Sequence, residues 1–180
     1  ILVVGKNLSG GIEPCAGVAA RDDILGDNPR ASGGSTFAGT PAGCAAALKT
    51  IEIFERDNIL AHAAMLGSLA SSRMSTWEQR YDIVAQVRTH GLLMGVAFRD
   101  PEGVSEDYYF ARSVRDAMLR RGVWAICDNE PQVRMYPALN MAPDVLSKAL
   151  DLMEESIDQV QREGVSIGDY PPMPSGNVGF

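Results

Sequence analysis

The feature that most constrains the fold is a short, uninterrupted apolar run at residues 1–4, which ends at Gly5. Such a run indicates a strand that is buried on both faces, as in a parallel sheet covered by helices. Lys6 follows the run directly, and a glycine-rich turn at residues 9–11 comes next. Because α/β folds bind their ligands beyond the carboxyl ends of parallel strands, the run predicts an α/β domain with Lys6 at its ligand-binding edge.

Helices are predicted where capping residues precede apolar residues at helical spacing. Thr40 and Pro41 suit the N-cap and the first position of one helix, and a second helix is predicted from about residue 59 to 77. A third is predicted over 105–121, and a last one begins at 142–144. The last helix carries an apolar stripe that predicts one buried face, formed by Leu146, Leu150, Met153, Ile157 and Val160.

The change of pattern near residue 50 predicts a domain boundary. Short strands are expected at 15–20, 84–88, 92–98, 123–127 and 132–136. Residues 1–50 are interpreted as the end of a larger α/β domain, and residues 51–164 as a smaller α+β domain of helices packed on a short sheet. Residues 165–180, which contain several prolines and glycines, are interpreted as a tail.

Composition limits the partners of the chain. The formal net charge is −7 and the 16 Lys and Arg residues are scattered, which argues against nucleic acid or an anionic membrane as a main partner. The three cysteines, Cys15, Cys44 and Cys127, are far apart, so neither a disulfide framework nor a zinc site is expected. A reducing compartment, the cytoplasm, is therefore expected. No apolar run of the sequence is long enough to span a membrane.

Lys6 is the first candidate for chemistry. A lysine amine that is removed from water loses its proton more readily and can form a Schiff base with an aldehyde. The simpler interpretation is an exposed lysine whose stem lies along a strand end, and composition alone favours it, since most lysines are exposed. A phosphate-binding P-loop is excluded, because Asn7 stands where that motif needs Ser or Thr.

Two further segments carry candidate binding residues. Residues 33–36, Gly-Gly-Ser-Thr, precede the helix that begins at Pro41, and their N–H and hydroxyl groups suit a phosphate; a plain loop is the alternative. Arg134 lies in an apolar strand, and its guanidinium fork suits a carboxylate; the alternative is an arginine on the outer face of an edge strand. Glu154 and Glu155 are interpreted as a solvent-exposed face.

Four segments together resemble the C-terminal part of the class III aminotransferases, which are fold type I enzymes that depend on pyridoxal 5′-phosphate (PLP). The segments occur in the family's order and at similar spacing over about residues 1–164. They are VGKNLSGG (residues 4–11), GSTFAGTP (34–41), VRTHGLLMGV (87–96) and VRMYPAL (133–139).

The resemblance implies a role for each candidate residue. Lys6 is expected to hold PLP through a Schiff base and then to move the proton between the substrate carbon and the cofactor. Ser35 and Thr36 are expected to bind the phosphate of the PLP in the partner subunit, which implies a homodimer or a higher homo-oligomer. Arg134 is expected to bind the substrate carboxylate. The implied reaction transfers an amino group between an amine or ω-amino acid and an oxo acid.

Other functions stay open at this point. Class III decarboxylases, racemases and lyases share the same lysine chemistry, and a non-catalytic association module is a further alternative. The family's acidic partner of the pyridine nitrogen, its stacking aromatic ring and its main phosphate-binding turn are expected upstream of Lys6. We therefore expect residues 1–180 alone to be inactive. We also expect the chain, which starts on Ile1, to be part of a longer protein.

Overall fold

A computed structural model of the chain describes residues 1–26, 38–128 and 130–165. The chain divides into two compact units, one of residues 1–60 and one from residue 61 onward. Ser35, Thr36 and nearly all of the expected tail lie outside the described residues. Within the described ranges, no helix has both the length and the apolar character that crossing a bilayer requires.

The described part of the first unit contains two short strands and two helices around a tight turn. In chain order these are strand β1 (Leu2–Val4), a 3-10 helix (Lys6–Ser9), strand β2 (Gly17–Ala19), helix α1 (Asp22–Leu25) and helix α2 (Pro41–Arg56). β1 and β2 pair in antiparallel orientation, with Val3 opposite Val18.

Within the described residues, the first strand is neither buried nor part of a parallel pair, in contrast to the prediction. β1 runs antiparallel to β2, and Leu2 and Val3 are 60% and 72% exposed. The connection explains the direction: residues 5–16 reverse the chain through the 3-10 helix and a left-handed turn at Gly10, whereas a parallel pair needs a longer crossover. An apolar run also does not reveal which part of a protein covers it, and the described residues leave much of β1 uncovered.

The second unit is built on a three-stranded antiparallel sheet. Its strands, in the spatial order β3-β4-β5, are β3 (Val84–His90), β4 (Leu93–Phe98) and β5 (Gln132–Met135). Its helices are α3 (Ile59–Met74), which begins at the boundary of the units, α4 (Trp77–Arg80), α5 (Asp107–Arg120) and α6 (Pro143–Glu163). A turn at Gly91, whose φ is +57°, joins β3 to β4.

The core of the second unit lies between the sheet and its helices. The stripe predicted for the last helix is buried, since each of its five members is at most 4% exposed. Full burial of a large apolar side chain contributes about 2 kcal/mol, so this face holds α6 against the unit. The other elements contribute to the same core cluster, among them Trp77, Val96, Phe98, Val114 and Met118.

The strand predicted at residues 123–127 is not formed. Only one bridge links this segment to β5, between Ile126 and Arg134. The Val123 N–H donates instead to the Met118 carbonyl in the last turn of α5, at 2.9 Å. The Val123 N–H is therefore bonded to the end of α5 and is not available for the backbone hydrogen bonds that a longer strand needs.

The interpretation of Glu154 as part of a solvent-exposed face is also wrong. The side chain is only 17% exposed, and its carboxylate contacts Arg80, Arg73 at 3.6 Å and the Tyr81 hydroxyl at 3.2 Å. These partners lie on or directly after α3 and α4, which are two separate helices where the sequence predicted one over 59–77. An ion-pair network thus joins α6 to this part of the unit.

Candidate active site

Lys6 begins a tight turn at the carboxyl end of β1. Its φ is +57°, in the left-handed region that costs a residue with a side chain about 1–2 kcal/mol. The Leu8 N–H donates to the Gly5 carbonyl at 3.1 Å, and the Gly10 N–H donates to the Asn7 carbonyl at 2.9 Å. These bonds close the 3-10 helix and hold the conformation that Lys6 adopts. Strained backbone of this kind clusters at functional sites.

Ser9 anchors the turn from the inside. Its side chain is fully buried, and its hydroxyl donates to the Glu13 carbonyl. A buried hydroxyl without a partner costs about 1–3 kcal/mol, so this bond ties the 3-10 helix to the segment that leads to β2. Ser9 was not predicted from the sequence; the available signal was a small polar residue directly before two glycines.

The Lys6 side chain is exposed, and no hydrogen bond or ion pair joins its amine to another described residue. The described residues thus do not remove the amine from water, and this exposure matches the simpler interpretation of the sequence. The amine also has no carboxylate partner among these residues that would compete with an aldehyde for it. The reactive group of PLP is an aldehyde, so the chemistry of Lys6 fits the cofactor that the family resemblance implies.

Helix α2 begins beside the lysine segment. The Thr40 hydroxyl oxygen accepts from the Gly43 N–H at 3.2 Å, and Pro41 occupies the first helical turn, as predicted. A methyl group on Gly43 would lie 2.9 Å from the Thr40 hydroxyl oxygen and 3.3 Å from the Pro14 carbonyl oxygen. The absence of a side chain at Gly43 therefore allows α2 to approach the residues that follow the lysine turn.

Arg134 occupies a rigid position in the second unit. It lies in β5 opposite Gly95 of β4, and a methyl group on Gly95 would lie 3.9 Å from the Arg134 Cγ. On its other edge, Arg134 exchanges two backbone hydrogen bonds with Ile126, of 2.8 and 2.9 Å. The backbone of Arg134 is thus held from both sides, and motion at this position is left to the side chain.

The guanidinium of Arg134 is only partly paired. Val133 and Met135 are buried, so Arg134 faces the other side of β5, where its side chain is 30% exposed. Nη2 donates to the Asp128 carboxylate, and Nε is buried without a partner among the described residues. Asp128 was not predicted from the sequence, because no periodic pattern relates two residues six positions apart across a loop.

A cavity of about 270 Å³ lies beside Arg134. Its apolar wall includes Trp124, Ile126, Ala138 and Met141, and among the described residues that line it Arg134 alone is charged. An arginine at the edge of an apolar cavity can bind a carboxylate while the cavity accepts alkyl groups. This arrangement supports the predicted chemistry of Arg134.

Cys127, next to Asp128 in the chain, is excluded as a nucleophile. Burial raises the pKa of its thiol to about 11, and the nearby Arg115 and Arg112 only partly oppose this effect. The thiol is therefore protonated at neutral pH, whereas the reactive form is the thiolate.

The predicted site residues fall in different parts of the chain. Lys6 lies in the first unit and Arg134 in the second. Ser35 and Thr36 lie outside the described residues. The roles of all four residues remain predictions.

The model of one protein family, aminotransferase class III, matches residues 1–157. The chain therefore belongs to the class III aminotransferases, the family that its motifs resemble. The cofactor of this family is PLP. The predictions of family, fold class and cofactor are thus confirmed.

Individual relatives span several activities. A leucine/methionine racemase from Thermococcus litoralis is 31% identical over 170 residues, which are 94% of this chain and 38% of that protein. An ornithine aminotransferase from Oceanobacillus iheyensis is 26% identical over 155 residues, 86% of this chain and 36% of the relative. The crystal structure of an acetylornithine aminotransferase from Elizabethkingia anophelis matches with a TM-score of 0.75 at 27% identity, over 87% of this chain and 38% of that one. The chain thus spans little more than a third of the length of these proteins.

Proposed function

We propose that the full-length protein is a PLP-dependent aminotransferase in which Lys6 is the catalytic lysine. It transfers an amino group between an amine or ω-amino acid and an oxo acid. The observation that carries the proposal is the position of Lys6 itself. Its amine is exposed and unpaired among the described residues, on a strained, hydrogen-bonded turn directly after β1. The turn fixes the backbone from which the Lys6 side chain extends.

Lys6 acts twice in the proposed reaction. Its amine would hold the cofactor through the cofactor's aldehyde group. With the substrate bound, the Lys6 amine would move a proton at the substrate carbon as a general acid–base. When bound, PLP supplies the electron sink for this proton transfer.

The remaining predicted residues bind the charged ends of cofactor and substrate. Ser35 and Thr36 bind the phosphate of the cofactor held by the partner subunit, so the active unit is a homodimer or a higher homo-oligomer. Arg134 binds the carboxylate of the amino acid or oxo acid. Its partly paired guanidinium and the adjoining apolar cavity support this role.

The proposed domain organisation follows from the same assignment. Residues 1–50 form the end of the PLP-binding large domain, residues 51–164 form the small α+β domain, and residues 165–180 form a tail. The cytoplasm is the proposed location, because the three cysteines of the sequence lack the spacing of a disulfide framework.

Amino-acid racemisation is a second candidate, because the leucine/methionine racemase is 31% identical over 94% of this chain. Both reactions need a lysine that removes a proton from the substrate carbon. A racemase returns the proton to the same carbon on the opposite face. Incubation of the full-length protein with an L-amino acid and an oxo acid in D2O separates the two. A racemase yields the deuterated D-amino acid, whereas an aminotransferase yields a new oxo acid and a new amino acid in equal amounts.

The test of the proposed function is the substitution Lys6→Ala in the full-length protein. Loss of the acid–base group alone is expected to lower the rate of amino transfer by about 10³-fold or more. Lys49→Ala is the matched control, since Lys49 is an exposed lysine of α2 whose ion-pair partner among the described residues is Glu52, at 2.7 Å, and removal of such a pair is expected to change the rate by less than about twofold. Amino transfer that survives Lys6→Ala at the wild-type rate contradicts the proposal.

A further inference from the structure

We propose that Arg88 is a second anion-binding residue of the substrate site and that, together with Arg134, it selects ligands that carry two carboxylates. This inference rests on the proposed role of Arg134 in carboxylate binding, and it adds a residue of β3 to that role. The observation that carries it is the register of the three-stranded sheet, which places a glycine between the two arginines.

Arg88, Gly95 and Arg134 lie side by side on three neighbouring strands. Gly95 of β4 is opposite Arg88 in one pair of strands and opposite Arg134 in the other. Residues that are directly opposite in an antiparallel pair have their side chains on the same face of the sheet. Because neighbouring strands lie about 4.8 Å apart, the backbones of the two arginines are about 10 Å from each other across Gly95.

This row of three residues lies on the face of the sheet that the helices do not cover. The residues that alternate with the row belong to the core: Val96 and Val133 are fully buried, and Val87 packs against the same cluster. Successive side chains of a strand point to opposite faces, so the row points away from the helices. Arg88 is exposed and the other two residues are half-buried.

The charge of Arg88 is not neutralised within the described residues. Its Nε and Nη2 donate to the neutral Gln86 side chain, at 2.9 and 2.5 Å, and no carboxylate among those residues bonds to its guanidinium. The carboxylate of Glu78, which reaches β3, accepts instead from the Val87 N–H at 2.6 Å. Gln86 therefore orients the guanidinium and leaves its charge and its Nη1 group available to an anion.

The acidic residues of the loop before β5 also have other partners. Asp128 contacts Arg134, and Glu130 accepts from the side-chain amide of Gln132. Neither carboxylate forms an ion pair with Arg88 in the part of the chain that the structure describes. The positive charge of the row is therefore least compensated at its β3 end, where a second carboxylate of a ligand gains most.

Gly95 leaves the space between the two arginines open. A methyl group on Gly95 would lie 3.9 Å from the Arg134 Cγ and 3.9 Å from the Gln132 side-chain oxygen. Without it, a short alkyl chain can cross the sheet surface at this point and bring one carboxylate to each guanidinium. The planar fork of an arginine suits a carboxylate at each end.

Arg134 thus lies between two surfaces of different chemistry. The apolar cavity whose wall includes Trp124 and Ile126 adjoins it on one side, and Gly95 and Arg88 follow on the other. A ligand with one carboxylate can place its alkyl chain in the cavity. A dicarboxylate instead places its second charge on Arg88.

The experiment compares glutarate with glutaramate as ligands of the full-length, PLP-loaded protein. The two have the same carbon chain, and a neutral amide of glutaramate replaces one carboxylate of glutarate. Saturation-transfer NMR of the ligand protons gives dissociation constants without requiring turnover. We expect Arg88→Gln to weaken glutarate binding about tenfold, the effect of losing a hydrogen-bond partner of a charged group, and to leave glutaramate binding unchanged.

Two further variants serve as controls. Arg120 is an exposed arginine of α5, the helix that packs on the buried face of the sheet, and Arg120→Gln is expected to change the binding of neither ligand. Arg134→Gln is expected to weaken both ligands about tenfold, because each carries the carboxylate that Arg134 binds.

The remaining outcomes separate the inference from the proposed function. If Arg134→Gln weakens both ligands but Arg88→Gln leaves glutarate binding unchanged, weakens both ligands alike or matches Arg120→Gln, the inference about Arg88 is wrong and the role of Arg134 stands. If Arg134→Gln binds both ligands as well as the wild type does, the carboxylate-binding role of Arg134 is wrong, and the inference is wrong with it. The Lys6→Ala experiment reports on the catalytic lysine independently of these variants.

Discussion

The backbone of Lys6 is held in an unusual conformation by the turn in which it lies. A left-handed φ is unfavourable for lysine, yet Lys6 is held in that conformation by a hydrogen bond that spans it, from Leu8 to Gly5, by a second one just after it, from Gly10 to Asn7, and by the buried Ser9 hydroxyl. The interactions that stabilise the turn therefore also position the Lys6 side chain. The amine at its end remains unpaired among the described residues, and the proposed role, in which the amine bonds to successive partners, requires this.

Asp100 organises the loop between β4 and α5, and it leads to a prediction about pH. Its carboxylate accepts backbone N–H bonds from Ser105 at 2.5 Å, Val104 at 2.7 Å and Glu102 at 2.9 Å. The bond from Ser105, followed by that from Glu102, holds the pKa of this carboxyl below its ordinary value. Because the folded pKa is lowered, the stabilisation is present above the unfolded pKa of about 3.9 and is lost as the pH falls through the folded value.

Asp100→Asn is therefore expected to lower the melting temperature at pH 7, and the difference from the wild type is expected to shrink below about pH 4. Thermal unfolding of the full-length protein across this range measures the effect. Glu102→Gln, in the same loop, removes a carboxylate whose side chain has no partner among the described residues, and it is the control. A difference between wild type and Asp100→Asn that stays constant down to the lowest pH contradicts the assignment.

At the scale of elements, α6 joins the second unit in two ways. Its apolar stripe is buried in the core, and Glu154 on its flank contacts Arg73 and Arg80. Glu154→Gln removes the charge that both arginines share, so we expect a loss of about 1 kcal/mol in the free energy of unfolding. Chemical denaturation of the full-length protein measures it. The loss is expected to decrease at 1 M NaCl, because the two arginines are 45% and 54% exposed and salt screens exposed charges.

Glu155→Gln is the matched control on the same helix. Its side chain is 58% exposed and contacts Arg121 at 3.6 Å. We expect its effect to stay below about 0.5 kcal/mol. If Glu155→Gln destabilises the protein as much as Glu154→Gln does, then the contacts of Glu154 with α3 and α4 do not have the proposed importance.

The elements differ in how far the sequence could predict them. The buried face of α6 was predicted correctly, because a stripe of helical period is a direct consequence of one-sided burial. The cap of α2 was also predicted, since the bond from Gly43 to Thr40 is local. The direction of β1 and the missing strand at 123–127 were not, because both depend on where connecting loops lead the chain and on which backbone groups they use.

The same distinction applies to the candidate site. The position of Lys6 after a strand and before a glycine turn could be read from the order of residue types. Its left-handed conformation, the burial of Ser9 and the pairing of Arg134 with Asp128 could not, because each depends on contacts between residues that no repeating pattern relates. The roles assigned to Lys6 and Arg134 stay predictions that the experiments above test.

At the scale of the whole molecule, the proposal divides the reaction between the two units. Cofactor chemistry is assigned to the first unit through Lys6, and carboxylate recognition to the second through Arg134. The chain belongs to the class III aminotransferases and spans little more than a third of the length of its relatives. The full-length protein is therefore the form in which the division has to be tested.

The most direct measurement identifies the lysine to which the cofactor bonds. The full-length protein is loaded with PLP, reduced with borohydride so that the lysine–cofactor bond becomes permanent, and digested for mass spectrometry of its peptides. We expect the pyridoxyl phosphate group on Lys6, with Lys49 and Lys148 unmodified. A pyridoxyl phosphate group on any other lysine of the protein, with Lys6 unmodified, contradicts the proposed function.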